Sequence, residues 1–168
     1  LTGTYCFVQS GGFTYEFNAD LLINASGLNA DKIARMINPE SPFEIQPIRG
    51  EYVVFNQNKR SSLKTNGLNI YRTPQYVERD GRKYFVVGVH FTPTFELKQN
   101  GKIQLGNTIL VGPTGDAVTD IHDYQSRRYD LDYFLSEMKP IFPGLELDDL
   151  SFAYCGIRAK LKSPKDDF

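Results

Sequence analysis

The stretch that decides the fold is "VGVHFTPTFELKQNGKIQLG", residues 87–106. Apolar and aromatic residues lie on both sides of Asn100-Gly101, a dipeptide that tolerates the positive φ angles of a tight hairpin turn. The pattern therefore predicts two antiparallel strands joined at this turn. The first strand carries His90, one of two histidines in the chain. The residues alone leave its role open, because a hydrogen-bonded core histidine and a catalytic imidazole fit the same pattern.

Further strands are predicted on both sides of this hairpin, from short runs of β-branched and aromatic residues. Near the start of the chain, two runs flank Ser10-Gly11-Gly12, a hairpin signal, and "DLLINAS" (20–26) is typical of a short buried strand. Asp80-Gly81 supplies another turn, and segment 56–67 is polar enough for an exposed loop. The other predicted strands are "TYCFVQ", "FTYEFN", "EYVVF", "LNIYR", "YFVVGVHF", "KIQLG", "TILVG" and "FAYCGIRAKL".

Two helices are predicted outside the strand-rich middle. The first has Asp31 near its start, where the helix dipole favours an anion, and it stops at Pro39. The second covers residues 130–138, with Asp130 as its N-cap. Their apolar stripes are Ile33, Met36 and Ile37 in the first helix and Leu131, Phe134, Leu135 and Met138 in the second. The fold class predicted is α+β, a largely antiparallel mixed sheet with flanking helices.

The composition excludes several classes of function. The chain has 168 residues, of which 40% are hydrophobic and 23% are charged. Its net charge of −1 provides no overall electrostatic attraction for nucleic acid. Cys6 and Cys155 lie in apolar surroundings and are predicted to be free thiols, and the sequence has no metal-binding motif. No apolar run approaches the ~20 residues that a transmembrane helix needs. The sequence shows no signal peptide. Because the chain starts at Leu1 rather than at Met and stops just after "SPKDDF", we expect it to be cut from a longer protein.

Three features suggest chemistry, each with a structural alternative. "LLINASGLNADKIA" (21–34) is a strand, a small-residue turn and a helix, which favours an anionic ligand but also suits a plain connection. Arg49 in "PIRGEY" can bind a carboxylate through both oxygens, or form a structural ion pair. Arg158 lies in an apolar run, where an unpaired cation is costly, so we expect an anionic or electron-rich neighbour.

In their order along the chain, these segments resemble the FAD-dependent oxidoreductases of the D-amino-acid-oxidase superfamily, and most closely the branch of L-2-hydroxyglutarate dehydrogenases and oxidases. The resemblance rests on "LLINASGLNADKIA", "IQPIRGEYVVF", "NIYRTP", "VGVHFTPTFELKQNGKIQLG", "LVGPTGDAV" and "CGIRAKL". It implies a two-domain flavoenzyme, of which residues 1–30 are the edge of the interrupted FAD-binding domain, 31–155 the substrate domain and 156–168 the return toward the FAD-binding domain. The glycine-rich dinucleotide fingerprint of such enzymes is absent here.

The resemblance also implies roles for individual residues. His90 corresponds to a histidine over the flavin, where an imidazole would take the proton of the substrate's 2-hydroxyl group. The residues expected to hold the substrate carboxylates are Arg49, Tyr52, Tyr71 and Thr92. Those expected to contact FAD are Asn24, Ala25, Gly27, Gly50, Gly156 and Arg158. No metal is expected.

The function implied is FAD-dependent oxidation of a small-molecule 2-hydroxy acid, L-2-hydroxyglutarate first, to the 2-oxo acid. Alternatives are a related flavoenzyme acting on glycerol 3-phosphate or an amino acid, and a non-catalytic binding domain. We expect the isolated chain to be inactive, and we expect FAD binding to require the full-length protein. Eukaryotic members are mitochondrial, whereas bacterial ones are cytoplasmic or membrane-associated, and the sequence leaves the electron acceptor open.

Overall fold

The computed structural model describes residues 4–59, 65–79, 82–125 and 127–162. The chain divides into two compact units, Leu1–Pro42 and Phe43–Phe168. Neither helix among the described residues is long and apolar enough to span a bilayer. Cys6 and Cys155 are free and partly buried, so the prediction of free thiols is confirmed.

The first unit consists of a hairpin and one helix. Strands β1 (Thr4–Ser10) and β2 (Phe13–Ala19) pair antiparallel through the predicted glycine turn. After a 3-10 turn, helix α1 (Ala30–Ile37) follows and ends before Pro39 as predicted. The strand predicted for "DLLINAS" is wrong, because residues 20–26 contain no strand and Ile23 is 77% exposed. An apolar run becomes a strand only beside a partner, and β1 and β2 pair only with each other among the described residues.

The second unit contains most of the strands. In chain order it consists of β3 (Ile45–Asn56), β4 (Gln75–Arg79), β5 (Arg82–Val86), β6 (His90–Leu97), β7 (Ile103–Gly112), β8 (Asp116–Ala117), α2 (Leu131–Met138) and β9 (Leu150–Leu161). β4 and β5 form a separate hairpin, whose predicted Asp80-Gly81 turn lies outside the described residues. β6 and β7 form the hairpin predicted around Asn100-Gly101.

β3 is the central strand of a five-stranded sheet in which every described pairing is antiparallel. β9 pairs along one edge of β3, whereas β7 and then β8 pair along the other edge, with β6 outside β7. The antiparallel sheet with few helices agrees with the predicted α+β class.

Two strand predictions in this unit need correction. The single strand predicted over 84–91 is two strands, because Gly88, with a φ of +74°, separates β5 from β6. A residue in that conformation cannot continue an extended ladder. "LNIYR" is not a strand either: only Ile70 pairs, in a single bridge to Phe91.

One face of this sheet is covered by α2 and forms the core. Asp130 caps the helix as predicted by accepting a hydrogen bond from the backbone of Tyr133 at 2.9 Å. The fully or almost fully buried core residues are Val53, Phe55, Val89, Phe91, Ile109, Val111, Phe134, Met138, Leu145 and Leu150. Because side chains alternate along a strand, the residues between them lie on the opposite face of the sheet, which we call the open face.

Candidate active site

The strand register brings predicted site residues from three strands to the open face. Thr92 of β6 pairs with Leu110 of β7, which pairs with Val54 of β3, and all three alternate with core residues. His90 lies two residues before Thr92 on the same face. On the far side of β3, Tyr52 pairs with Tyr154 of β9. The members of the open face used below are Gly50, Tyr52, His90, Thr92, Gly112, Tyr154, Gly156 and Arg158.

His90 is half-buried at the first position of β6 and is held from two sides. Its Nδ1 lies 3.0 Å from the carbonyl oxygen of Gly88. The ring of Tyr71 meets the imidazole edge-on, with centroids 5.9 Å apart and an interplanar angle of 81°. Because Tyr71 follows the Ile70–Phe91 bridge directly, this bridge is what brings the two rings together.

Tyr52 of β3 lies beside Gly112, the last residue of β7, which pairs with His90. His90 pairs with Gly112, and a Cβ added to Gly112 would lie 2.8 Å from Cδ1 of Tyr52. Tyr52 stacks on Tyr154, with ring centroids 5.0 Å apart. Burial raises the pKa of the Tyr52 phenol, Tyr154 raises that pKa further and Arg158 lowers it, with a net rise. The phenol therefore stays neutral at physiological pH and can act as a hydrogen-bond donor.

Gly50 and Gly156 face each other across β3 and β9, yet they lack side chains for different reasons. A Cβ on Gly50 would lie 2.8 Å from Cβ of Pro113 and 3.1 Å from the backbone oxygen of Thr114, so the close approach of this segment requires glycine there. A Cβ on Gly156 would have nothing within 4 Å among the described residues. The backbone at Gly156 is therefore bare, with Tyr154 and Arg158 two residues to either side on the same face.

Arg49 is not on the open face. Its side chain is fully buried on the core side of β3, where Nη1 lies 2.5 Å from Oε1 of Glu51 and Nε donates to the backbone oxygen of Asp123. Burial lowers the pKa of Arg49, but the hydrogen bond and the charge of Glu51 outweigh this effect, and the pKa is raised overall. The structural alternative, an ion pair, is therefore the arrangement observed. We leave Arg49 out of the candidate site.

The turn that contains Asn24, Ala25 and Gly27 belongs to the first unit. The side chain of Asn24 makes hydrogen bonds within this segment. Its Nδ2 donates to the carbonyl oxygen of Ala30, and its Oδ1 accepts from the hydroxyl of Ser26. Gly27 has a φ of +57°, which favours glycine. The Asp31 carboxylate accepts the backbone N–H of Lys32 in the first turn of α1, so an anion already lies there. The cofactor contacts of these three residues stay a prediction.

Two residues of the site were missed by the sequence interpretation. Tyr154 gave a usable signal, because it precedes Gly156 and Arg158 at alternate positions of one predicted strand. Gly88 gave a weaker one: a glycine interrupting an apolar run often marks a bend. Glu51 likewise stands two residues after Arg49, so the ion pair on one face of a strand was accessible from spacing alone.

A family profile described as FAD dependent oxidoreductase matches residues 3–168. The chain belongs to this family of FAD-dependent oxidoreductases. This match confirms the predicted superfamily. The antiparallel sheet of the second unit is consistent with a domain of this family.

Three curated relatives of this chain share one name. L-2-hydroxyglutarate dehydrogenase, mitochondrial, of Caenorhabditis elegans is 39% identical over 104 residues, which is 61% of this chain and 21% of that relative. The protein of the same name from Dictyostelium discoideum is 26% identical over 172 residues, covering 86% of this chain and 36% of the relative. The one from Bos taurus is 35% identical over 96 residues, covering 56% of this chain and 18% of the relative. The chain thus matches about a fifth to a third of its relatives' length.

The open face fits the flavin ring of the family's cofactor. A planar ring needs flat backbone without side chains, which Gly156 provides. A cation beside the ring stabilises negative charge on it, and Arg158 lies two residues further along the same face. The residues that would hold the ring are therefore Gly156 and Arg158.

Proposed function

We propose that this chain is the substrate-domain part of a longer enzyme that oxidises L-2-hydroxyglutarate to its 2-oxo acid with FAD. The observation that carries the proposal is that His90, Tyr52, Thr92 and Arg158 share one open sheet face with the bare backbone of Gly156. Family membership supports the cofactor. The names of the relatives support the substrate and, for a eukaryotic source, a mitochondrial location.

In the proposed reaction, the substrate's C2–H bond and its hydroxyl O–H bond break and a C=O bond remains. A base of this chain takes the proton, and FAD, when bound in the full-length enzyme, would supply the acceptor for the hydride. His90 is the base. Its Nδ1 faces the carbonyl oxygen of Gly88, which can only accept a hydrogen bond, so the neutral ring carries its hydrogen on Nδ1. Nε2 is then the atom with a free lone pair, and it takes the hydroxyl proton.

The substrate's carboxylates need cations and donors on the same face. Arg49 is neutralised by Glu51 on the other side of the sheet. Arg158 is therefore the cation we assign to a carboxylate as well as to the flavin edge, because its fork can donate several hydrogen bonds. The neutral phenol of Tyr52 and the hydroxyl of Thr92 supply further donors.

A substrate panel on the full-length enzyme with bound FAD tests this function. Under anaerobic conditions, we expect L-2-hydroxyglutarate to bleach the flavin absorbance in a single turnover. Its D-enantiomer, glycerol 3-phosphate and amino acids should react at least about a hundredfold more slowly, since each misplaces or lacks the 2-hydroxyl group or lacks the paired carboxylates. Rapid bleaching by glycerol 3-phosphate or an amino acid would transfer the assignment to that substrate class. A purified protein that holds no FAD would instead favour a non-catalytic binding domain.

A further inference from the structure

The carbonyl group of Gly88 has a specific place relative to the proposed base. Gly88 lies between β5 and β6, outside the register of both strands, so its carbonyl is not needed by either ladder. Its oxygen instead lies 3.0 Å from Nδ1 of His90, two residues along the chain. Such a short connection fixes the orientation of the imidazole relative to the backbone that begins β6.

Gly88 has a φ of +74°, a conformation that side chains of most L-residues disfavour. The space around it does not explain the glycine, because an added Cβ would have nothing within 4 Å among the described residues. The backbone angle is therefore the property that requires glycine, and it sets the path by which the chain leaves β5 and enters residues 88–90, which hold both the carbonyl and the imidazole.

We infer that Gly88 is a positioning residue that selects the tautomer of His90 with the hydrogen on Nδ1, leaving Nε2 to accept the substrate's proton. This inference rests on the proposed function for its kinetic consequence, but not for the tautomer itself. Tyr71 completes the arrangement, because its ring lies edge-on to the imidazole and limits rotation on that side. A histidine held from both sides by Gly88 and Tyr71 is preorganised before substrate binds.

The chain offers a matched control for a variant of Gly88. Gly101, in the β6–β7 turn, has a φ of +76° and nothing within 4 Å of an added Cβ among the described residues. Gly88→Ala and Gly101→Ala therefore introduce similar backbone strain, and neither added methyl group meets a neighbouring atom of the described residues. Of these two glycines, only Gly88 has a carbonyl oxygen that contacts an imidazole. Gly88→Asn is a third variant, because asparagine tolerates positive φ better than alanine does.

The experiment uses the full-length enzyme labelled with ¹⁵N-histidine, at a pH where the imidazole is neutral and without substrate. The signals of His90 are those missing from the His90→Asn variant. We expect the wild type and Gly101→Ala to show a protonated Nδ1 and a bare Nε2, Gly88→Ala to show a mixture of tautomers, and Gly88→Asn to restore the wild-type pattern in large part. In flavin reduction, kcat of Gly88→Ala should fall about tenfold or more while KM changes less than about twofold, because Gly88 holds the base and not the substrate.

The outcomes separate this inference from the proposed function. A wild-type His90 protonated on Nε2, or a Gly88→Ala enzyme that keeps both the tautomer and kcat, overturns the inference whatever the substrate is. Equal loss of kcat in Gly101→Ala also overturns it, because strain alone would then be the cause. If no 2-hydroxy acid reduces the wild-type flavin, the proposed function fails while the tautomer measurement still decides the role of Gly88. Should Gly88→Ala not fold, the wild-type tautomer and Gly88→Asn decide it.

Discussion

At the scale of single residues, similar local sequences have different roles. Both "IRGE" and "CGIRA" place an arginine within two residues of a glycine in a strand, yet Arg49 is buried against Glu51 whereas Arg158 is exposed on the open face. The two glycines differ in the same way: Gly50 makes room for Pro113, and Gly156 leaves bare backbone. Sequence alone shows the residue types, but the face and the neighbour of each depend on strand register.

The two glycines give a test of the flavin contact. Gly156→Ala should leave the free energy of unfolding of the apoprotein unchanged within about 0.5 kcal/mol, since its Cβ enters open space. It should weaken FAD binding in the full-length enzyme, because the methyl group occupies the surface proposed for the ring. Gly50→Ala should destabilise the protein by about 1–3 kcal/mol through its contact with Pro113. Chemical denaturation and FAD titration measure these effects; tight FAD binding by Gly156→Ala would contradict the proposed contact.

At the scale of elements, the two faces of β3 have different roles. One face holds buried structural residues, and the other holds residues proposed for the chemistry. Its core-side residues include the buried pair Arg49 and Glu51, and the Glu51 carboxylate also accepts the backbone N–H of Arg128 at 2.9 Å. This pair anchors the segment between β8 and α2 to the central strand. On the other face of β3, Gly50 and Tyr52 pair with residues of β9, and Tyr52 also lies beside the end of β7.

Replacement of Arg49 by methionine tests this separation. It leaves the Glu51 carboxylate buried without its cation, so the free energy of unfolding should fall by about 3–5 kcal/mol. The double variant Arg49→Met with Glu51→Leu should recover part of that loss, because no buried charge remains unpaired. In the folded population of the full-length enzyme, KM for L-2-hydroxyglutarate should stay within about threefold of wild type, measured below the unfolding transition. A tenfold or larger rise in KM would return Arg49 to the substrate site.

Elements with local signals were predictable from the sequence, and those that depend on partners were not. The Asp130 cap of α2, the end of α1 before Pro39 and the glycine turns of two hairpins depend on local sequence, so they were predicted correctly. The absence of a strand at 20–26 and the single bridge at Ile70 depend on which neighbouring strand is available. In the site, His90, Tyr52 and Thr92 were named from the family resemblance and their roles stay predictions, whereas the contact of Gly88 with His90 and the stacking of Tyr154 on Tyr52 needed the structure.

At the scale of the whole molecule, the chain forms two compact units and matches only part of each curated relative. In the first unit, large apolar side chains such as Phe13 and Leu21 are 68% and 74% exposed. In the second unit, the open face presents aromatic rings, bare backbone and a cation opposite a well-packed core. The domain assignment stays a prediction: residues 1–30 as the edge of the FAD-binding domain, 31–155 as the substrate domain and 156–168 as the return toward the FAD-binding domain.

The central claim is that the open face of the second unit carries out proton transfer through His90. The most direct measurement is anaerobic single-turnover reduction of FAD by L-2-hydroxyglutarate in the full-length enzyme, comparing His90→Asn with His122→Asn. His122 is the second histidine of this chain; it is exposed between β8 and α2, and its bond to Asp120 comes from its backbone. We predict a rate at least about a hundredfold lower for His90→Asn and a wild-type rate for His122→Asn. Flavin reduction at the wild-type rate in His90→Asn would contradict the account.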